Sequence, residues 1–309
     1  MKRDLLTLAD IEAAEFNHLM DVAARLKADL KAGRAHPWLA GKTLSMIFEK
    51  PSLRTRVTFE TGMNQLGGVA IYLGPADILL GQRESVPDIG KNLSLWVDAI
   101  MARTFAHRSV VELAANASVP VINGLSDLYH PCQVMADCFT LRELRGKDLS
   151  SLSVAFVGDG NNMSHSWMLA SARLGFRLTV VCPEGYEPSP DVIAKARALG
   201  APSLEITRDL EGGTRGADVL YTDVWASMGQ EAEAEARRKI FAPYQINQRV
   251  VDNAARDVIV MHCLPAHRGE EITGEVIDGP HSVVLQEAEN RLHIQKALIA
   301  WLLGAPQAQ

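Results

Sequence analysis

Apolar positions along the chain fall into two alternating series of helix-like and strand-like runs. Residues Ala9 to Lys31 carry apolar side chains at the spacing of an amphipathic helix, and Gly33 closes it. Short apolar runs then predict strands at Thr43–Phe48, Val69–Leu73, Ala99–Met101 and Val119–Ile122. Helical patterns fill the gaps after Ser52, Asp88, Arg108 and Gln133. The stretch Arg142–Ser151, with Gly146 and a cluster of charges, reads as a domain boundary. A second series predicts strands at Ser153–Val157, Leu178–Val181, Leu204–Ile206, Val219–Tyr221, Val258–Met261 and Val283–Leu285. Strands alternating with helices imply parallel sheets covered on both faces. The expected class is therefore α/β, with two doubly wound parallel-sheet domains and an active site in the cleft between them. The first would span residues 1–145 and the second residues 146–285. The closing helix, Glu289–Leu303, fits either domain by pattern; we assign residues 286–309 back to the first.

In open parallel sheets, ligands gather beyond the carboxyl ends of the strands. The polar residues fall there. Phe48-Glu49-Lys50-Pro51-Ser52-Leu53-Arg54-Thr55-Arg56 follows the first predicted strand. Pro51 and Ser52 supply helix-start chemistry, and Val57, Phe59, Met63 and Leu66 continue at helical spacing. The first turn would then offer free backbone N–H groups, hydroxyls and guanidiniums, which together describe an anion site. Arg103-Thr104, His130-Pro131-Cys132-Gln133, Gly158-Asp159-Gly160-Asn161-Asn162, Asp223 through Gly229, His262-Cys263-Leu264-Pro265 and Glu289-Asn290-Arg291 occupy comparable places.

Composition narrows the partners. The 309 residues carry a net charge of −6, which argues against nucleic acid or an anionic membrane as the main partner. No long apolar stretch predicts a membrane span, and the N-terminal residues lack the apolar core of a signal peptide. The four cysteines form no CxxC pair and no zinc-like spacing, so no metal is expected and a reducing, cytoplasmic setting is.

Each motif has a plainer alternative. Gly158-x-Gly160 resembles the start of a dinucleotide fingerprint, but Met163 stands where the third glycine belongs; a tight turn aiming Asn161 or Asn162 at the cleft is the better reading. Arg103 is either a surface guanidinium or a second grip on the anion of Arg54. His130 and Gln133, three apart at a helix start, can face one side and bond a carbonyl and an amide. Asp223 and Ser227 either cap a helix or hold an amino-acid head group. Cys263 is either a buried inert thiol or a proton-handling group at a strand end.

Together these runs resemble the aspartate/ornithine carbamoyltransferase family, and specifically its ornithine branch, from the first helix to Arg291. The family's F-E-K-x-S-T-R-T-R signature stands here as FEKPSLRTR, and its H-P-C-Q, D-x-x-x-S-M-G and H-C-L-P signatures are intact. The resemblance implies transfer of the carbamoyl group of carbamoyl phosphate to the δ-amine of L-ornithine, giving L-citrulline, with no cofactor and no metal. It implies that Ser52, Leu53, Arg54, Thr55, Arg103, His130, Gln133, Cys263, Leu264 and Arg291 bind carbamoyl phosphate. Arg103, His130 and Cys263 would act in catalysis. Asn162, Asp223, Ser227 and Met228 would bind ornithine. It also implies a homotrimer, with further assembly left open. Leu53 replaces the usual Thr, and Leu79 stands where similar proteins place a Gln supplied by a neighbouring subunit; Gln82 is the candidate replacement. The Pro51-Ser52-Leu53 variant keeps an N-acylornithine or putrescine acceptor as the alternative, since acylornithine enzymes resemble it there. A silent carbamoyl-phosphate-binding scaffold fits less well, because His130, Gln133, Cys263 and the arginines are all retained.

Overall fold

A computed structural model describes residues 2–226 and 233–308. The chain forms two compact units: Met1–Phe139 with Glu289–Gln309, and Thr140–Ala288.

The first unit holds four parallel strands, β1 (Thr43–Phe48), β2 (Val69–Leu73), β3 (Ala99–Arg103) and β4 (Val121–Leu125), in the order β2-β1-β3-β4. The chain leaves β1 toward β2 on one side and returns as β3 on the other. The topological switch therefore lies between the carboxyl ends of β1 and β3. Ile47, Ile100, Ala102 and Val121 pack with Ile89, Val110 and Leu113, which covers one face of the sheet with helices.

Two strands differ from the sequence reading. β3 runs two residues past Met101, so Arg103 belongs to the sheet. β4 starts at Val121 because Pro120 has no N–H for the ladder; only its carbonyl is used, accepting from Ile100 N at 2.9 Å. Ala102 pairs with Asn123, but Arg103 pairs with Leu125. The skipped residue is Gly124, where a Cβ would meet Met101 Sδ at 2.4 Å. This bulge sits at the rim of the sheet beside Arg103.

Helix starts also move. A single turn, Leu8–Asp10, is closed by a capping box with Thr7, and extended Ile11 separates it from the helix Ala13–Lys31. The helix placed after Asp88 runs Val86–Leu93: Ser85 is its cap, and Asp88 bonds back to the Ser85 hydroxyl at 2.6 Å.

The second unit holds five parallel strands, β5 (Ser153–Val157), β6 (Arg177–Val181), β7 (Leu204–Thr207), β8 (Val219–Thr222) and β9 (Ile259–His262), in the order β7-β6-β5-β8-β9. Its switch lies between β5 and β8. Val157, Val181, Leu220 and Val260 form its core with Val250, Ile272 and Val276. The strand expected at Val283–Leu285 does not form. Val283 N reaches Val260 O at 3.1 Å, and one isolated bridge joins Val260 to Ser282. From Val284 the chain is helical to Leu302, burying Val284 and leaving Leu285 78% exposed. Three apolar residues touching β9 at one point give too little ladder to hold a strand. Among the described residues no helix is long and apolar enough to cross a membrane.

Candidate active site

The first unit gathers cations at its switch point. Glu49-Lys50-Pro51 carries the chain from β1 to Ser52, whose Oγ accepts from Thr55 N at 3.4 Å and caps the helix Leu53–Gln65. First-turn amides have no backbone partner inside a helix, so a helix start of this kind can meet an anion. Leu53 is 76% exposed and brings only its backbone to this turn. Glu49 fastens the two strand exits: its N–H donates to Arg103 O at 2.9 Å, and its Oε2 accepts from Phe105 N at 2.7 Å. Arg103 is buried at the end of β3. Arg54 is half-buried, and among the described residues its Nε has no hydrogen-bond partner.

Arg291 ties three elements together. Its Nη1 donates to Gln133 Oε1 and its Nη2 to Thr55 Oγ1, both at 2.8 Å. Gln133 Nε2 donates in turn to Asp137 Oδ1 at 2.8 Å, which fixes the orientation of its amide. Buried Lys27 donates to Asn290 Oδ1 at 2.7 Å and seats the start of this segment. His130 is buried beside these groups. Burial, then the charges of Arg291, Arg103, Lys50 and Arg54, hold its imidazole well below the usual range, so it is neutral at pH 7. Lys50 lies over the Phe105 ring at 5.0 Å. Burial, with Arg103 adding repulsion, pulls its ammonium down to about 8. Each of these shifts would relax if an anion entered.

The second unit builds a different cluster at its own switch point. Asp223 follows β8. Its Oδ1 accepts from Val224 N at 2.8 Å and from Cys263 Sγ at 3.0 Å, and its Oδ2 accepts from Asn161 Nδ2 at 2.9 Å. Asn161 also caps the helix Asn162–Leu174, its Oδ1 accepting from Met163 N at 2.9 Å. Asn162 is the first residue of that helix and is half-buried; the bond to Asp223 Oδ2 is made by its neighbour Asn161. Gly160 is required by close approach, since a Cβ would meet backbone atoms of Glu187 and Pro188 at 2.3 Å. Half-buried Asp159 pairs with buried Arg237 at 2.9 Å, and Arg237 also donates to Trp225 O at 3.1 Å. Ser227 and Met228 lie outside the described residues.

His262 ends β9. Its Nδ1 accepts from Leu264 N at 2.9 Å and its Nε2 donates to Glu271 Oε1 at 3.0 Å. Ligand atoms of Asp223, His262 and Cys263 lie within 4.8 Å of one another. Both imidazole nitrogens are already committed and Asp223 accepts three bonds, so the set suits proton handling better than metal ligation. Burial raises the Cys132 and Cys182 thiols to about 12 and Cys138 well above its usual value, which leaves them inert. Cys263 instead meets a carboxylate.

Sequence reasoning gave no role to Lys50, Asp137, Asp159's partner Arg237, or Glu271. Lys50 stands inside the FEKPSLRTR run. Asp137 lies four residues after Gln133 on the helix Pro131–Arg145, a spacing that was readable. Arg237 and Glu271 reach their partners only through the fold.

Comparison with known proteins agrees with this division. A family model described as aspartate/ornithine carbamoyltransferase, carbamoyl-P binding domain, matches residues 3–143. A second, the Asp/Orn binding domain, matches residues 150–302. An ornithine carbamoyltransferase of Syntrophus aciditrophicus is 50% identical over 303 residues, covering 98% of this chain and 100% of that protein. The anabolic ornithine carbamoyltransferase of Pyrococcus furiosus is 52% identical over 305 residues, covering 98% and 96%. A solved structure of ornithine carbamoyltransferase from Pyrococcus furiosus aligns with a TM-score of 0.95, covering 98% of this chain and 97% of that one.

Proposed function

We infer that this chain, which belongs to the aspartate/ornithine carbamoyltransferase family, transfers the carbamoyl group of carbamoyl phosphate to the δ-amine of L-ornithine. The products are L-citrulline and phosphate. The observation that carries this reading is the buried Arg291 bridge to Thr55 and Gln133 beside neutral His130. It offers cations for a phosphate and neutral polar groups for a carbonyl and an amide.

In the proposed reaction the δ-nitrogen attacks the carbamoyl carbon. The bond from that carbon to the bridging oxygen breaks, and its electron pair leaves with phosphate. Arg54, Arg103, Arg291 and the helix start capped by Ser52, through the backbone of Leu53 and Thr55, balance the leaving charge. Arg103, the Thr55 hydroxyl and His130 stabilise the developing oxyanion; a neutral His130 donates one N–H without adding a charge. Gln133 and the Leu264 carbonyl hold the carbamoyl NH2 and fix its plane. Asn162, Asp223, Ser227 and Met228 hold the ornithine head group. Asp223 or Cys263, already bonded to each other, takes the proton the amine loses. The chemistry calls for no cofactor and no metal, because phosphate leaves readily once its charge is balanced.

The substrate division supports residues 1–145 as the carbamoyl-phosphate domain, 146–285 as the ornithine domain and 286–309 as a return to the first. A homotrimer would cover apolar residues left exposed on the first unit, namely Leu53 and Val57 on one helix and Val69 and Ile71 on edge strand β2. The anabolic relative supports a place in arginine biosynthesis, and the cysteine usage supports a cytoplasmic setting. The deciding assay measures carbamoyl transfer to ornithine, N-acetylornithine, N-succinylornithine, putrescine and aspartate in parallel. Ornithine should give the highest kcat/KM; a higher value for any other acceptor overturns the reading.

A further inference from the structure

We propose that Glu271 is a positioning residue: it fixes the tautomer of His262, and His262 thereby holds the Cys263-Leu264 turn in its working shape. This rests on reading Cys263 and Leu264 as residues that meet the reacting groups.

Leu264 has φ of 56°, in the left-handed region that a branched, Cβ-bearing residue avoids. Such a conformation persists only where its surroundings hold it. The Leu264 N–H is held by His262 Nδ1 at 2.9 Å. An amide N–H can only donate, so Nδ1 must be the lone-pair nitrogen and the proton must sit on Nε2. Glu271 Oε1 is the acceptor that keeps it there, at 3.0 Å, and both side chains are wholly buried. With the other tautomer, two N–H groups would face each other and the turn would lose its anchor.

The same Glu271 Oε1 also accepts from His267 N at 2.6 Å. One oxygen therefore secures both ends of the turn from His262 to His267. The surrounding bonds keep this oxygen in place. The Glu271 carbonyl accepts from Ile246 N at 2.9 Å, and Glu287 Oε2 accepts from His262 N at 3.1 Å. Glu271 touches no reacting group in this account. It acts through His262 on the direction of the Leu264 carbonyl and the Cys263 thiol.

The test uses the full chain with histidine labelled with nitrogen-15. Long-range nitrogen–proton correlations report the tautomer of each ring, and His262→Asn assigns the signal. Citrulline kinetics, inorganic phosphate affinity by calorimetry and thermal melts are measured for wild type, Glu271→Ala and Glu271→Gln. Wild type should show the Nε2–H tautomer. Glu271→Ala should lose about a hundredfold in kcat, with phosphate affinity unchanged because the phosphate groups lie in the first unit. Glu271→Gln keeps a carbonyl acceptor and should restore most of the loss. An Nδ1–H tautomer in wild type, full kcat in Glu271→Ala, or a folded Glu271→Gln as slow as Glu271→Ala overturns the proposal. A purely structural role would lower the melting temperature and leave kcat intact. If Glu271→Ala does not fold, the wild-type tautomer and the Gln variant still decide. Wild-type protein that makes no citrulline would overturn the functional reading instead, and the tautomer would still judge the turn.

Discussion

Removing the ammonium of Lys50 should weaken carbamoyl-phosphate binding and abolish its pH dependence above neutrality. Burial and Arg103 bring this group to about 8, against the opposing pull of Asp127 and Glu49. At pH 7 about ten of eleven molecules carry the charge, and at pH 9 about one of eleven. A dianion entering the site raises the affinity of Lys50 for its proton, so binding takes up a proton wherever the free protein lacks it. If only the charged form binds, apparent Kd rises about tenfold from pH 7 to pH 9, or about 1.4 kcal/mol. The ligand itself adds little to that slope, because a phosphate's second pKa lies near ~6. Calorimetric titrations at pH 7, 8 and 9, without acceptor amine and in buffers of different ionisation enthalpy, give both quantities. Proton uptake should be about one half at pH 8 and about 0.9 at pH 9. Lys50→Met should bind more weakly at pH 7 and show no such slope. A wild-type Kd that is constant from pH 7 to pH 9, or an unchanged slope in Lys50→Met, would refute the reasoning.

Arg54→Ala should lose roughly 1.5–3 kcal/mol of carbamoyl-phosphate affinity by calorimetry with its melting temperature retained; unchanged affinity removes Arg54 from the site. The rate at limiting ornithine should climb toward alkaline pH, because only about one amine in 10³ is neutral at pH 7, and a flat profile from pH 6 to 9 under chemistry-limited conditions would sink that mechanism. Gly160→Ala forces a Cβ against backbone at 2.3 Å and should cost about 3 kcal/mol in urea titrations; a shift within error would mean the turn yields. Lys296 is buried against Gln65 Oε1 at 2.8 Å and His36 Nε2 at 3.1 Å, and burial lowers it to about 8. Below pH 8 both folded and unfolded chains hold this proton; between about 8 and about 10.5 only the unfolded chain does, so its contribution to stability rises with pH. Lys296→Met should remove that rise from urea midpoints measured across pH 8 to 10, and identical slopes would contradict it.

Local chemistry made the helix start of the candidate anion site readable. Ser52 is a cap by residue type, and the apolar spacing after it needs no tertiary partner. The strands buried on both faces read as short apolar runs for the same reason. Val283–Leu285 failed because a run of three apolar residues looks alike at a strand and at a helix start; the choice was made by how little of β9 it could reach. The pattern alone places a boundary at Asp88, because an acid at a helix start fits both cap and first turn. The residues without sequence signal, Arg237 and Glu271, act through partners far along the chain or on another element. Lys50 was visible but silent, since its lowered affinity for a proton comes from burial beside Arg103, which only the sheet order β1-β3 produces.

The first unit is discontinuous, and this sets an order of events during synthesis. Arg291 and Lys296 belong with residues up to Phe139 but emerge from the ribosome after everything between. At roughly 5–20 residues per second, the 149 residues from Thr140 to Ala288 take about 7–30 s. During that delay Gln133, Thr55, Gln65 and His36 lack their cationic partners, while the second unit, continuous in sequence, can complete itself. The part of the chain made earliest is therefore finished last. A nascent chain halted before Glu289 would expose an unclosed sheet domain to chaperones and proteases, beside a neighbour already folded.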